Sequence, residues 1–450
     1  MLKGYTKQEI SWMMYDWANS AHSVIIVTLL PIFFDTVAGY TADSVSSMST
    51  WGYATSIAML IVALAAPFLG VFGDIRGMRK KLFSFFMLLG VAACAGMAFT
   101  PGMDFTSGPV AAGKVASLIL VLYIVSVIGF DASAIYYDAF LTDVTIEDRM
   151  DKVSTMGYGL GYIGGSTIPL LIFLIMNLVG VPMLTCLAFV FGLTAVWWLA
   201  FSLPLLKNCE QTSGKPYEKG DVARSMKGVG TTIKEIIANK PMLIYILSYF
   251  FYIDGVHTVI SMATTYGTNL GLDSTGMMLA LLLVQILGLP FCLLYIKCSE
   301  KFGARTMVGF GICVYMFICI FAFFMNSLWQ FWVLAVLCAT SQGGIQALSR
   351  SMYGKLIPDK DRSGEFFGFF DIFGKFSSIM GPALVGVVSS VVANGMLGVQ
   401  GLTAQTATAE QIDAINAQSS HYGILSIIII IIVGAVLYFG FLPKAEHAKQ

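Results

Sequence analysis

Twelve times along this 450-residue chain an apolar run of about 20 residues or more is closed by a polar break. The runs are 12–38, 50–73, 82–101, 115–140, 153–177, 181–206, 241–266, 275–297, 306–325, 328–350, 364–392 and 421–442. Each is long enough to cross a hydrocarbon core of ~30 Å as a helix rising 1.5 Å per residue. In lipid there is no water to take backbone amides, so open strands are excluded and a run of this length closes its own hydrogen bonds as a helix. Composition agrees. Hydrophobic residues are 57 % of the chain and charged residues 12 %, against about 25 % charge in a soluble domain. Disorder needs the opposite balance. With 26 basic and 26 acidic residues, the chain has no basic footprint for nucleic acid. The expected fold class is an all-α membrane protein of twelve transmembrane helices, with the lipid bilayer as its surroundings.

Orientation follows from Lys and Arg, which concentrate on the cytoplasmic side of short loops. Of the 26, all but Lys114 and Lys375 fall on one side when the spans are counted from an inside N-terminus. A wrong span count would scramble that parity. Both termini are therefore expected in the cytoplasm. The first apolar run is too long for a signal h-region and no small-residue cleavage site follows it, so it reads as a retained span. The eight cysteines form no CxxC and no Cys/His cluster, so neither structural disulfides nor a metal site is expected.

The longest inner loop, 207–240, divides the chain into halves 1–206 and 241–450, and the halves repeat. Ala21-His22-Ser23-Val24-Ile25 matches Val256-His257-Thr258-Val259-Ile260. Asp74, Gly77 and Arg79 match Glu300, Gly303 and Arg305. Asp148-Arg149, Gly161 and Pro169 match Asp361-Arg362, Gly374 and Pro382. The matches keep their order and slip only in loops, which predicts two pseudo-symmetric six-helix halves, a transporter plan. Within the loop, Val222, Met226, Val229, Ile233 and Ile236 fall at helical spacing, which predicts an amphipathic helix on the inner membrane surface. Thr408-Ala-Glu-Gln411 is a capping box and predicts a short outer helix.

Twelve spans, the half-repeat and Gly70-x-x-x-Asp74-x-x-Gly77-x-Arg79-Lys80-Lys81 together resemble the major facilitator superfamily. Tyr15-Asp-Trp-Ala-Asn-Ser20, Tyr136-Tyr-Asp-Ala-Phe-Leu141, Gly157-Tyr-Gly-Leu-Gly-Tyr-Ile-Gly-Gly165, Tyr252-Ile-Asp-Gly255, Gln346-Ala-Leu-Ser-Arg-Ser351 and Glu365-Phe-Phe-Gly-Phe-Phe-Asp-Ile-Phe-Gly-Lys375 resemble its vacuole-effluxer-like branch. The resemblance implies the major facilitator fold, a secondary transporter in a bacterial-type plasma membrane, and action as a monomer. Fungal members of the branch are linked to amino-acid efflux from vacuoles. Two departures stand out: His22 replaces a usual Phe, and Ile75 and Met78 replace basic residues of the loop motif.

The loop residues Gly70, Asp74, Gly77 and Arg79 have a physical use as a gate. A carboxylate beside a Gly turn can reach the orphan N–H groups of a neighbouring helix, and Arg79 can pair with inner-loop acids. Gly159-Leu-Gly161-Tyr-Ile-Gly164 fits GxGxxG, but it lies inside a span without a preceding strand, so it is read as a helix-packing face and not a nucleotide site.

Ionisable residues inside spans carry the sharpest signal, because each costs on the order of 3 kcal/mol or more at a helix centre. They are Asp16, His22, Asp131, Asp138, Asp254, His257, Asp371 and Lys375, with Arg350 near the inner boundary. Asp16, Asn19 and Ser23 share one helix face, as do Asp131 and Asp138, and Asp371 and Lys375 stand at i and i+4. Carboxylates in low dielectric take protons, so some of these acids are candidate proton carriers. Lys375 suits an anionic group of a substrate. The bland readings are a hydrogen-bonded buried histidine and a lysine that only neutralises Asp371.

The chain thus reads as an alternating-access transporter of a small polar solute, amino acids first, coupled to protons, with no cofactor. A membrane enzyme is not expected: there is no HExxH and no catalytic Cys/His pair. A lipid flippase or a transporter-derived sensor remains as an alternative on the same fold.

Overall fold

The computed structural model describes residues 2–41, 47–216, 221–401, 406 and 408–443. Among them, twelve helices are long and apolar enough to cross a membrane. The first half holds α1 (Lys7–Ala38), α2 (Ser47–Gly73), α3 (Arg79–Met97), α4 (Pro109–Val144), α5 (Met150–Gly161) continued by α6 (Ile168–Leu178), and α7 (Met183–Asn208). After α8 (Asp221–Ala238) come α9 (Lys240–Asn269), α10 (Ser274–Phe302), α11 (Ala304–Phe323), α12 (Leu328–Leu356), α13 (Ser363–Val399) and α14 (Ala409–Val436).

Two helices start at capping boxes and not at the edge of the apolar run. The Thr6–Glu9 capping box starts α1 ahead of the apolar residues. The Thr408–Gln411 box starts α14 itself, which corrects the expectation of a separate short outer helix. Residues 411–420 contain no Gly or Pro, so nothing interrupts the helix before it enters the last span. The period over 222–236 does form a helix, α8; within it Ile236 is buried and Ile233 exposed.

The fifth span, expected as one helix, contains a π-helical turn at Tyr162–Thr167 between α5 and α6. Pro169 has no N–H for the Gly165 carbonyl, and the Thr167 hydroxyl bonds the Tyr162 carbonyl at 2.8 Å. Trp17 presses on the same turn: a Cβ placed on Gly164 would lie 2.0 Å from its ring. Such bulges have identifiable local causes, and here Pro169 and the Thr167 hydroxyl supply them, with the Trp17 ring packed against the turn.

The chain packs as two compact units, Met1–Thr232 with Gly354–Ile372, and Ile233–Tyr353 with Phe373–Gln450. Lipid supplies no hydrophobic pull between helices, so small residues and interhelical hydrogen bonds hold them. In the first unit the Gly157, Gly161, Gly165 stripe lets α1 approach. A Cβ on Gly165 would sit 2.6 Å from the Trp17 carbonyl oxygen. Trp12 stacks on Tyr137 with centroids 4.4 Å apart, and its Nε1 donates to the Tyr137 carbonyl at 2.8 Å. In the second unit α9 lies on α14, where the Ser248 hydroxyl donates to the Gly434 carbonyl at 2.9 Å. The Tyr245 hydroxyl donates to the Ser349 carbonyl at 2.9 Å and ties α9 to α12. Leu64, Phe85, Val196 and Ile429 are exposed, as the lipid face of a span requires.

Candidate gate and transport residues

The α2–α3 loop builds a densely bonded polar cluster in the first unit. Gly77 has φ +81°, a left-handed turn that brings Arg79 back under Asp74. Asp74 Oδ1 accepts from the Gly364 amide at 2.7 Å and Oδ2 from the Glu365 amide at 2.8 Å. These are orphan N–H groups of the first turn of α13, whose positive end favours a carboxylate. Arg79 is fully buried. Its Nη2 donates to Asp74 Oδ1 and to the Ser363 hydroxyl, each at 2.9 Å, and its Nη1 to Asp143 Oδ2 at 2.5 Å. One guanidinium thus serves two buried carboxylates, a geometry only the planar fork of Arg supplies. Gly70 lets α2 meet the start of α13 backbone to backbone: a Cβ there would lie 2.2 Å from the Gly364 carbonyl oxygen.

Burial pushes the Asp74 carboxyl up to about 7, against the pull of Arg79 and the two α13 amides. A raised pKa means that the folded cluster holds more protons than the opened one. Asp74 therefore contributes most below its ordinary 3.8 and loses that contribution as pH rises toward about 7. The expected result is that wild type loses melting temperature relative to Asp74→Asn between pH 4 and 7, and that the two curves run parallel above 7. Parallel curves across the whole range would remove Asp74 as the titrating group.

The intramembrane residues are distributed over both units. In the first, Asp16 is buried against Gly157, where a Cβ would lie 2.3 Å from its Oδ2. Asn19 is buried beside it on the same helix, and Ser23, on that face of α1, is exposed. His22 is buried, stacked on Phe130 at 4.7 Å, with Nε2 3.2 Å from the Ser126 hydroxyl oxygen. Asp131 is buried; Asp138 and Asp371 are half-buried. In the second unit Asp254 is fully buried, with Oδ1 accepting from the Gly381 amide at 2.9 Å. His257 is hydrogen-bonded to Gln346 and stands within electrostatic reach of Lys375. Arg350 is buried and Lys375 half-buried. The structure thus brings together Asp74 with Arg79 and His257 with Lys375, while His22 and His257, matched in the repeat, sit in different units.

Sequence reasoning missed Asp143, Gln211 and Ser363. An acid ending the fourth span opposite the basic loop after the second was a readable signal for Asp143. Gln211 had none, because its partners are set by where the linker runs.

Residues 5–148 and 142–400 match the family described as vacuole effluxer Atg22 like. The MFS-type transporter YxiO of Bacillus subtilis (strain 168) is 40 % identical over 452 residues, covering 99 % of this chain and 96 % of that protein. Autophagy-related protein 22-1 of Penicillium rubens is 25 % identical over 274 residues, 55 % of this chain and 46 % of that protein. Among solved structures, the proton:xylose symporter XylE superposes with TM-score 0.71 at 14 % identity, covering 97 % of this chain and 95 % of that one. FucP in the outward conformation gives 0.62 at 12 % identity, covering 96 % and 98 %. The fold is that of the major facilitator superfamily.

Proposed function

Because this chain belongs to the vacuole effluxer Atg22-like family, we propose that it is a proton-coupled secondary transporter of small polar solutes, amino acids first, working by alternating access. The observation that carries this reading is the buried Asp74–Arg79–Asp143 cluster on the first turn of α13. It joins two helices through one ion-paired loop, which is how a reversible gate is built. In this reading the halves 1–206 and 241–450 are the repeating bodies, and the monomer is the working unit. The protein sits in the plasma membrane with both termini in the cytoplasm. Asp16, Asp131 and Asp138 carry protons, with Asn19 and His22 on the same first-unit pathway. Lys375 and Asp254, with opposite charges, suit the carboxylate and ammonium of an amino acid, with His257 and Arg350 as further candidates of the same unit and Asp371 as a separate candidate one helical turn before Lys375 in sequence. Gly70, Asp74, Gly77 and Arg79 form the gate.

The test is proton movement in proteoliposomes holding the purified protein. An amino-acid mixture is added outside, an internal pH dye is followed, and Lys375→Ala is the control. A proton flux that needs both the mixture and Lys375 is the expected result. No flux from folded protein would displace proton-coupled amino-acid transport in favour of uncoupled transport, other solutes or lipids.

A further inference from the structure

We propose that linker residues 211–215 are a working part of the gate, with Gln211 as a positioning residue that caps α3 and holds Arg79 in place. The gate's function rests on the transport reading above; the contacts do not.

The α3 N-terminus has no side-chain cap of its own. Gln211 supplies one from the linker: its Oε1 accepts from the Gly77 amide at 2.9 Å and the Arg79 amide at 3.3 Å. Its Nε2 donates to the Gly73 carbonyl at 2.9 Å. One side chain therefore satisfies orphan groups at the end of α2 and the start of α3. Beyond it the linker pairs with the loop backbone, Lys215 N–H to the Asp74 carbonyl at 3.0 Å and Arg76 N–H to the Lys215 carbonyl at 2.9 Å. Gly214 has φ +117°, and a Cβ on it would lie 2.6 Å from the Asp74 carbonyl oxygen, so a side chain would lift the strap.

Two further contacts tie the strap to both sides of the latch. Asp143, which neutralises Arg79 through Oδ2, uses Oδ1 for the strap. That oxygen accepts from the Thr212 and Ser213 amides at 3.1 and 2.9 Å and from their hydroxyls at 2.8 and 2.7 Å. On the other side the Gly214 amide donates to Asp361 Oδ1 at 2.8 Å, in the turn just before α13. The strap thus spans the α2–α3 loop and the approach to α13. Separating those two elements must break its bonds on one side.

The test uses the full-length protein in detergent and needs no substrate. Hydrogen exchange is followed in peptides covering 76–82 and 211–216, together with N-ethylmaleimide labelling of Cys209. That thiol is fully buried two residues before Gln211, donates to the Gln8 carbonyl at 3.5 Å and is pushed up to about 12 by burial. Gln211→Ala is expected to raise both exchange and labelling about tenfold, since several hydrogen bonds are lost at once. Gln211→Glu keeps the acceptor and is expected to keep 76–82 close to wild type. Asp361→Ala is expected to loosen 211–216 while leaving 76–82 protected. Wild-type exchange and labelling in Gln211→Ala would overturn the proposal. So would a strap that stays protected in Arg79→Ala. A missing solute flux in proteoliposomes would count against the transport reading and leave these outcomes standing.

Discussion

Arg79→Ala is expected to weaken the closed cluster by about 3–5 kcal/mol and to cut transport by an order of magnitude or more, because it strands two buried carboxylates. Asp74 and Asp143 both reach the guanidinium, at 2.9 and 2.5 Å, and neither has another cation among their described hydrogen bonds. Arg79 is fully buried, so water does not take over its role without opening the site. Arg79→Lys should fall between, since one ammonium does not span both acids. Melting temperature in detergent, followed by flux in proteoliposomes, checks this. A wild-type melting temperature and wild-type flux in Arg79→Ala would sink the gate assignment.

The second large effect is expected from the smallest change. Gly70→Ala puts a methyl 2.2 Å from the Gly364 carbonyl oxygen, 2.8 Å from its carbon and 3.0 Å from Glu365 Cα. All three are backbone atoms of the same α13 turn that Asp74 caps, so no side-chain rotamer relieves the clash. The helices must separate, and the two amide bonds to Asp74 lengthen with them. Transport should fall about as far as in Asp74→Ala, and the double variant should be little worse than either single one, because both break one contact. Gly52→Ala is the control. Nothing lies within 4 Å of its added Cβ, and an exposed helical Gly→Ala is neutral or stabilising by about 0.5–1 kcal/mol. Equal behaviour of Gly70→Ala and Gly52→Ala would show that the close approach does not matter.

Much of this protein was legible one residue at a time. The spans could be counted because a hydrocarbon slab imposes one length on every crossing helix. The capping box at Thr408 was a local pattern, and it is present. The Thr408 box predicts a helix start but not its length, and the helix it starts runs on through the last span. The π-turn at 162–167 has local causes in Pro169 and Thr167, but the Trp17 ring packed against Gly164 comes from another helix and was not legible there.

The gate divides the same way. Asp74, Gly77 and Arg79 stood out mainly through the resemblance of their loop to the major facilitator motif, with a carboxylate beside a glycine turn as the physical reason. Their partners did not. Gly364 and Glu365 lie about 290 positions away in sequence, and Gln211 is an unremarkable polar residue in a linker. The sequence by itself determined the helices, their number and the positions of the costly charges, since burial in lipid constrains each segment independently. Only the tertiary structure decided which carboxylate meets which amide. A hydrogen bond depends on ångström-scale approach between segments, and no single segment's composition encodes that.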